Sequence, residues 1–447
     1  MRRFAPNARE VLFLGLPLAG SHLAQFALHV TDTIMLGWYG VTDLAAGALG
    51  ATVFFTLFTL GSGFAQAVMP MVATAEAAGQ DTEVRRITRM GMWLSIAYGL
   101  ACIPLMALSE PILLLLGQDP DIAYLASGYL AILGLGMVPA LLVMTLKSYL
   151  AALGRTQVVL WATVAAVGVN VLFNWLFIYG NLGFPEMGVR GAAWASVIVQ
   201  IFTFAAMLTY VLWLPQTRRH TLLTRFWRPD WVALQQVNRL GLPIGGAMLA
   251  ETGLFAASAI MMGWLGAEYL AAHSIALEIT ALFFMIHMGL SNAGTVLVGR
   301  ARGHDDIHAL RAGARSAITI SMSFALLTIG VYFLFGTWMA GLFLSPGDPA
   351  REVIIPLAYT LLLVAALFQF ADAGQVLAMG LLRGLQDTRV PMVIATFSYW
   401  VIGVPASYVL AFPLGWEGVG LWFGLVIGLM VAAVALMTRF WAKVGLR

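Results

Sequence analysis

The stretch LGLPLAGSHLAQFALHVTDTIMLGWYG, residues Leu14–Gly40, is apolar over a membrane-crossing length yet holds one carboxylate, Asp32, among small and aliphatic residues. An α-helix needs about 20 apolar residues to cross the ~30 Å hydrocarbon layer of a bilayer. A carboxylate near the middle of that layer costs about 2.5 kcal/mol or more if it faces lipid. Asp32 therefore needs either a polar interior or a partner, and the rest of the chain has to supply it.

Composition sets the solvent. The 447 residues are 61% hydrophobic and 10% charged, with a mean hydropathy of +0.88, too little charge to cover the surfaces of soluble domains. Repeated apolar runs of about 20 residues instead indicate a polytopic all-α membrane protein embedded in a lipid bilayer. The 46 glycines suit close helix packing. The net charge of +3 comes from basic residues scattered through short loops, which argues against nucleic acid as a partner. Cys102 is the sole cysteine, so no intrachain disulfide or paired-thiol metal site is expected. The basic start before Leu14 imitates a secretory signal, but the apolar run continues to about Met35 and recurs later. It reads as a retained first helix.

Twelve apolar segments are expected, near 11–36, 44–72, 91–116, 122–147, 157–180, 188–213, 238–262, 270–299, 314–339, 352–382, 390–411 and 416–438. The loops test this count. Arg2, Arg3, Arg9, Arg85, Arg86, Arg89, Lys147, Arg155, the arginines between Arg218 and Arg239, and those from Arg300 to Arg315 all fall on one side. So do Arg383, Arg389, Arg439, Lys443 and Arg447. Of the 24 Lys and Arg residues, only Arg190 and Arg351 fall on the other. The positive-inside rule makes the basic side cytoplasmic, with both termini there.

The opening stretch also repeats. LGLPLAG at Leu14 matches LGLPIGG at Leu240; at the same offset Gly37-Trp38 falls on Gly263-Trp264, and Leu44-Ala45-Ala46 on Leu270-Ala271-Ala272. Later, LGRTQV from Leu153 faces LQDTRV from Leu385. Six spans per repeat make two parallel, pseudo-symmetric six-helix bundles. These are an N-lobe at 1–213, a cytoplasmic linker at 214–237 and a C-lobe at 238–447, an arrangement suited to alternating access. Within the linker, RFWRPDW (Arg225–Trp231) reads as a basic segment lying on the headgroups with aromatic anchors.

Four carboxylates sit inside the expected spans: Asp32, Glu251, Glu278 and Asp372. Polar neighbours join them at helical spacing. Gln25, His29 and Asp32 form one stripe; Gln369, Asp372 and Gln375 another; Asn170 and Asn174 share a face; Glu251 and Ser258 are two turns apart. His22, His273 and His287 also lie in spans and read more simply as packing residues. No HExxH, GxSxG, Walker A or GxGxxG motif is present, so neither an enzyme nor a resident cofactor is expected. A carboxylate in a low-dielectric interior can alternate between protonated, cation-bound and bare forms. That is the chemistry of ion-coupled transport. Gly420, Gly424 and Gly428 make a GxxxGxxxG packing face on the last span, and 22 Met with 26 Phe suit adaptable apolar surfaces.

These residues together resemble the multidrug and toxic compound extrusion (MATE) family, in its NorM-type branch. The resemblance is carried by VTDTIMLGWYG, by NVLFNWLFIYGNLGFPEMGVRGAAWAS from Asn170, and by AETGLFA around Glu251. AAHSIALE after Ala271 and FADAGQVLAMGLLRGLQDTRVP around Asp372 complete it. It implies two six-helix bundles in a V that export organic cations in exchange for Na⁺ or H⁺. Asp32 then stands at the family's N-lobe acidic position, linked to proton coupling and drug binding, with Asn170 and Asn174 nearby. Glu251 and Asp372 stand at the C-lobe pair linked to Na⁺ or another monovalent cation, which the DinF-like branch generally lacks. Glu278 departs from the pattern, where members tend to have an amide or neutral residue. A bacterial cytoplasmic membrane location and a monomer follow as expectations. A lipid or lipid-linked oligosaccharide flippase of related architecture is the competing reading.

Overall fold

The computed structural model describes residues 8–344, 347 and 349–445. Arg2, Arg3 and Arg447, used in the loop-charge pattern, lie outside them. Among the described residues twelve helices are long and apolar enough to cross a membrane. They are α1 (Ala8–Tyr39), α2 (Val41–Ala77), α3 (Asp81–Ala107), α4 (Pro120–Ala152), α5 (Thr156–Phe177) and α6 (Val189–Trp213). The second six are α7 (Trp231–Leu265), α8 (Ala267–Gly303), α9 (Ile307–Gly341), α10 (Arg351–Gly384), α11 (Arg389–Ala411) and α12 (Glu417–Gly445). Short helices at Ser109–Leu115 and Pro215–Arg218 lie in loops. Most spans run past the expected apolar cores by a turn or more, because polar helix formers and caps extend them. Asp306, for example, accepts from the backbone N–H groups of His308 and Ala309 and so starts α9 early. Leu326, Leu327, Phe333 and Leu334 of α9 remain 60–72% exposed, which hydrocarbon as solvent makes favourable.

Two irregular turns follow from proline. Pro139 offers no N–H to the carbonyl four residues before it, and α4 tightens into a 3₁₀ turn at Gly134–Gly136. Pro405 does the same to α11, which widens into a π-helical turn at Ser398–Gly403.

The described residues form two compact units. One is Gly20–Gly245; the other combines the residues up to Ala19 with those from Gly246 onward. These boundaries differ from the expected 1–213, 214–237 and 238–447. The reason lies in the repeated motif. In the first unit, a Cβ on Gly63 of α2 would stand 2.3 Å from the carbonyl oxygen of Gly241, so the start of α7 packs backbone to backbone on α2. In the second, a Cβ on Gly289 of α8 would stand 2.6 Å from the Gly15 oxygen, and the start of α1 packs there in the same way. Glycine contacts assign helix starts to units, and chain order does not.

The segment between α6 and α7 is held to the unit by side-chain contacts. His220 is buried; Tyr149 and its Nδ1 are 2.6 Å apart, and its Nε2 lies 3.0 Å from Glu76. Arg219 also pairs with Glu76. Arg86 grips both oxygens of Asp230, Arg89 donates to the Arg225 carbonyl at 3.1 Å, and Trp93 donates to the Phe226 carbonyl at 2.9 Å. Trp227 stays exposed, as a headgroup anchor would. The segment is an integral part of the Gly20–Gly245 unit.

On the last span the glycine face packs as expected. A Cβ on Gly424 would meet the Ser407 backbone nitrogen at 2.2 Å, and one on Gly428 would meet Gly403 at 2.8 Å. α11 and α12 are in backbone contact along this face.

Candidate functional site

Each unit contains a polar cluster built around an acidic residue inside a span. In the Gly20–Gly245 unit it is built around Asp32 of α1. Asn170 and Asn174 lie one turn apart on α5 and both donate their amide Nδ2 to Asp32 Oδ1, at 2.9 and 2.6 Å. Asn174 also donates to Asn170 Oδ1 at 3.2 Å, and Ser196 of α6 donates to Asp32 Oδ2 at 3.4 Å. Every neighbour presents a donor, which is the complement of a carboxylate accepting on both oxygens. Asn174 is wholly buried, and its own Oδ1 has no hydrogen-bond partner. Tyr129 of α4, itself buried, lies within electrostatic reach of Asp32.

The predicted stripe of Gln25, His29 and Asp32 divides. Gln25 hydrogen-bonds His22, two turns away from Asp32. His29 is exposed and interacts with Asp32 by charge only. Asn170 and Asn174 join the cluster as their spacing suggested. Ser196 was missed, because a lone serine in an alanine-rich helix carries no signal until α6 is placed beside α5.

In the other unit the cluster lies between α7, α10 and the π-helical turn of α11. Asp372 is 3% exposed, with Oδ1 unpartnered. Glu251 of α7 lies within charge range of Asp372, and Tyr399 of α11 lies within range of both. Tyr399 is fully buried and its hydroxyl has no partner. One turn to either side of Asp372 are Gln375, whose buried Oε1 is also unpartnered, and Gln369. Gln369 Oε1 accepts from Tyr332 at 3.4 Å, and its Nε2 is left without a partner. Unpartnered buried polar atoms are few in native proteins, and several on one helix face mark a place for water or an ion. Carboxylate, amide and phenol oxygens are the donors a hard monovalent cation takes.

Arg383, read from sequence as a loop charge, is half-buried on α10 and within charge range of Glu251. The π-helical turn that carries Tyr399 was also invisible in the sequence. Ser258 does not accompany Glu251. It lies 3.3 Å from His273, whose other nitrogen accepts from Trp422 at 3.1 Å, a packed structural pair. His287 likewise lies 2.8 Å from Ser321. Glu278 is exposed and forms no hydrogen bond or ion pair with the described residues, so it stands outside the Glu251–Asp372 cluster.

A pair of buried acidic clusters in two homologous six-helix repeats can be compared with known proteins. The sequence matches the MatE family over residues 17–176 and 243–409, both repeats. The chain belongs to the MATE family. Curated relatives named probable multidrug resistance protein NorM are 43% identical in Rhizobium meliloti, over 97% of this chain and 92% of that one. In Agrobacterium fabrum the figures are 44%, 97% and 93%. A MATE structure in the straight conformation superposes with a TM-score of 0.88 at 22% identity, covering 99% of this chain and 97% of the other. The eukaryotic MATE transporter AtDTX14 gives 0.83 at 18%, covering 98% and 97%. The MATE fold is therefore shown over nearly the whole chain, and the protein is a transporter rather than an enzyme.

Proposed function

We propose that this MATE transporter is a multidrug efflux antiporter. It exports organic, mainly cationic amphipathic compounds in exchange for Na⁺ or H⁺ by alternating access. Its setting is a bacterial cytoplasmic membrane, with both termini on the cytoplasmic side, and it works as a monomer. Multidrug resistance names on relatives above 40% identity support the substrate class.

The observation that carries the coupling reading is the Glu251–Asp372 cluster, with the unpartnered oxygens of Asp372, Gln375 and Tyr399 around it. Occupation by Na⁺, or protonation of a carboxylate, satisfies those oxygens and neutralises two like charges that repel in a low-dielectric interior. Asp32, with Asn170 and Asn174, supplies a negative group and an open amide oxygen to a cationic N–H donor. The ion gradient thereby becomes a switch on interior charge.

Efflux of a fluorescent lipophilic cation from proteoliposomes, driven separately by a Na⁺ gradient and a pH gradient, tests this. Efflux under Na⁺ alone assigns Glu251 and Asp372 to a metal ion; efflux under the pH gradient alone assigns them to protons. Wild-type efflux from the Glu251→Gln, Asp372→Asn double variant would remove the assignment. Absence of efflux under either gradient would turn attention to lipid-linked substrates.

A further inference from the structure

The segment joining α6 to α7 carries charge that the rest of the protein does not use. Four carboxylates stand at this end of the unit, and all are engaged. Glu83 and Asp230 pair with Arg86, while Glu76 and Asp81 face Arg219 and His220. Arg218, Arg225 and Arg228 are exposed and form no ion pair with any described residue. Three arginines with no matching acid make a local surplus of positive charge on a backbone that is held in place. Besides the Arg89 and Trp93 bonds, Arg85 donates to the Thr221 hydroxyl at 2.9 Å.

Apolar surface accompanies the charge. Trp213, Trp227 and Trp231 are 82%, 73% and 69% exposed, and a segment between two spans lies where tryptophan favours the headgroup boundary. Between the end of α6 and the segment is an open groove of about 340 Å³. Val211, Leu212, Leu222 and Leu223 line its apolar wall, and three threonines with Arg218 its polar one. A groove with an apolar wall, beside an exposed guanidinium that forms no ion pair with any described residue and in a segment between two spans, matches one ligand chemistry: a phosphodiester attached to an acyl chain.

We infer that this groove binds an anionic phospholipid of the surrounding leaflet, its phosphate on Arg218, its headgroup within the field of Arg225 and Arg228, and its acyl chain against Leu212 and Leu223. The juxtaposition of uncompensated arginines and an apolar groove commits the site to a lipid of the bilayer. A soluble anion has no use for the groove, and a zwitterionic lipid gains nothing from the charge surplus. Each basic residue near an anionic surface is worth about fivefold in affinity, so the three together set a preference of at least about tenfold after screening by salt.

The full chain, purified in mild detergent and given equimolar phosphatidylglycerol and phosphatidylcholine, is read by native mass spectrometry for retained lipid. Wild type should retain phosphatidylglycerol in at least about tenfold excess. The Arg218→Ala, Arg225→Ala, Arg228→Ala triple variant should lose that excess with an unchanged lipid-free melting temperature. The triple Lys variant should keep a large part of it, and Arg218→Ala alone should cut it severalfold, so a folding failure of one variant leaves the others informative. Equal retention of both lipids by wild type would overturn the inference. So would an undiminished preference in the Ala variants, or displacement of the lipid by millimolar inorganic phosphate, which would mark a free-phosphate site. The readout is lipid retention, independent of transport.

Discussion

Asn174 donates to Asp32 Oδ1 at 2.6 Å while its own buried Oδ1 faces no donor at all. One amide thus ends the protein's hydrogen-bond network on one side and holds an open acceptor on the other. Asn174→Leu removes both. Removing a buried donor costs about 1–3 kcal/mol, so the variant should melt lower than wild type. Efflux of a cationic dye in proteoliposomes should fall at least about tenfold. Asn174→Asp, which places a second carboxylate against the first, should do worse than Asn174→Leu in the same assay; equal rates would argue against charge as the working principle.

Tyr399 makes the opposite kind of test. Its hydroxyl is buried without a partner, so Tyr399→Phe removes an unsatisfied group and leaves the packing intact. The melting temperature in ion-free buffer should hold or rise slightly. The stabilisation conferred by added Na⁺, or by lowered pH, should shrink if the hydroxyl serves the Glu251–Asp372 cluster. An unchanged ion response would place Tyr399 outside the coupling site.

Helix packing gives a stability pair. A Cβ on Gly424 would stand 2.2 Å from a backbone nitrogen of α11, which cannot move away as a side chain can. Gly424→Ala should therefore lower the melting temperature markedly, with a cost of about 1–3 kcal/mol or more. Gly168, inside α5, has open space around its Cβ position. Gly168→Ala should be neutral or stabilising by up to about 1 kcal/mol, on helix propensity alone. Thermal shift in detergent distinguishes the two.

Asp387 joins α10 to α11 outside the spans. Its burial opposes ionisation, but hydrogen bonds from Arg439 and Lys443, both at 2.8 Å, outweigh this and hold its carboxyl below the usual aspartate range. A depressed folded-state value adds stability above the unfolded aspartate value near pH ~3.9, lost as pH falls through the folded value. Asp387→Asn should therefore melt below wild type at neutral pH, by about 1 kcal/mol or less since Lys443 is partly exposed. The gap should close as the pH is taken below ~3.9. A gap that persists in acid would mean that packing, not charge, holds the loop.

Much of this was legible in the chain itself. Membrane insertion, the twelve spans, the internal repeat and the polar surroundings of Asp32 and Asp372 follow from apolar length and from the cost of a charge in hydrocarbon, whereas Glu278, under the same cost, is exposed. Those constraints act on each segment separately, so reading along the chain recovers them. The pairing of Asn170 with Asn174, and of Gln369 with Asp372 and Gln375, is equally local, being one helix turn. Tertiary structure alone decided which stripe was a site. Gln25 and Ser258 had the right spacing but found partners in His22 and His273, while Ser196 and Tyr399 reached the clusters from neighbouring helices, and Arg383 came within charge range of Glu251 on a helix far from it in sequence. It also decided that the starts of α1 and α7 pack by glycine contact rather than by chain order. Hydrogen-bond partners and backbone approach depend on which helix lies alongside, and a one-dimensional pattern does not carry that information.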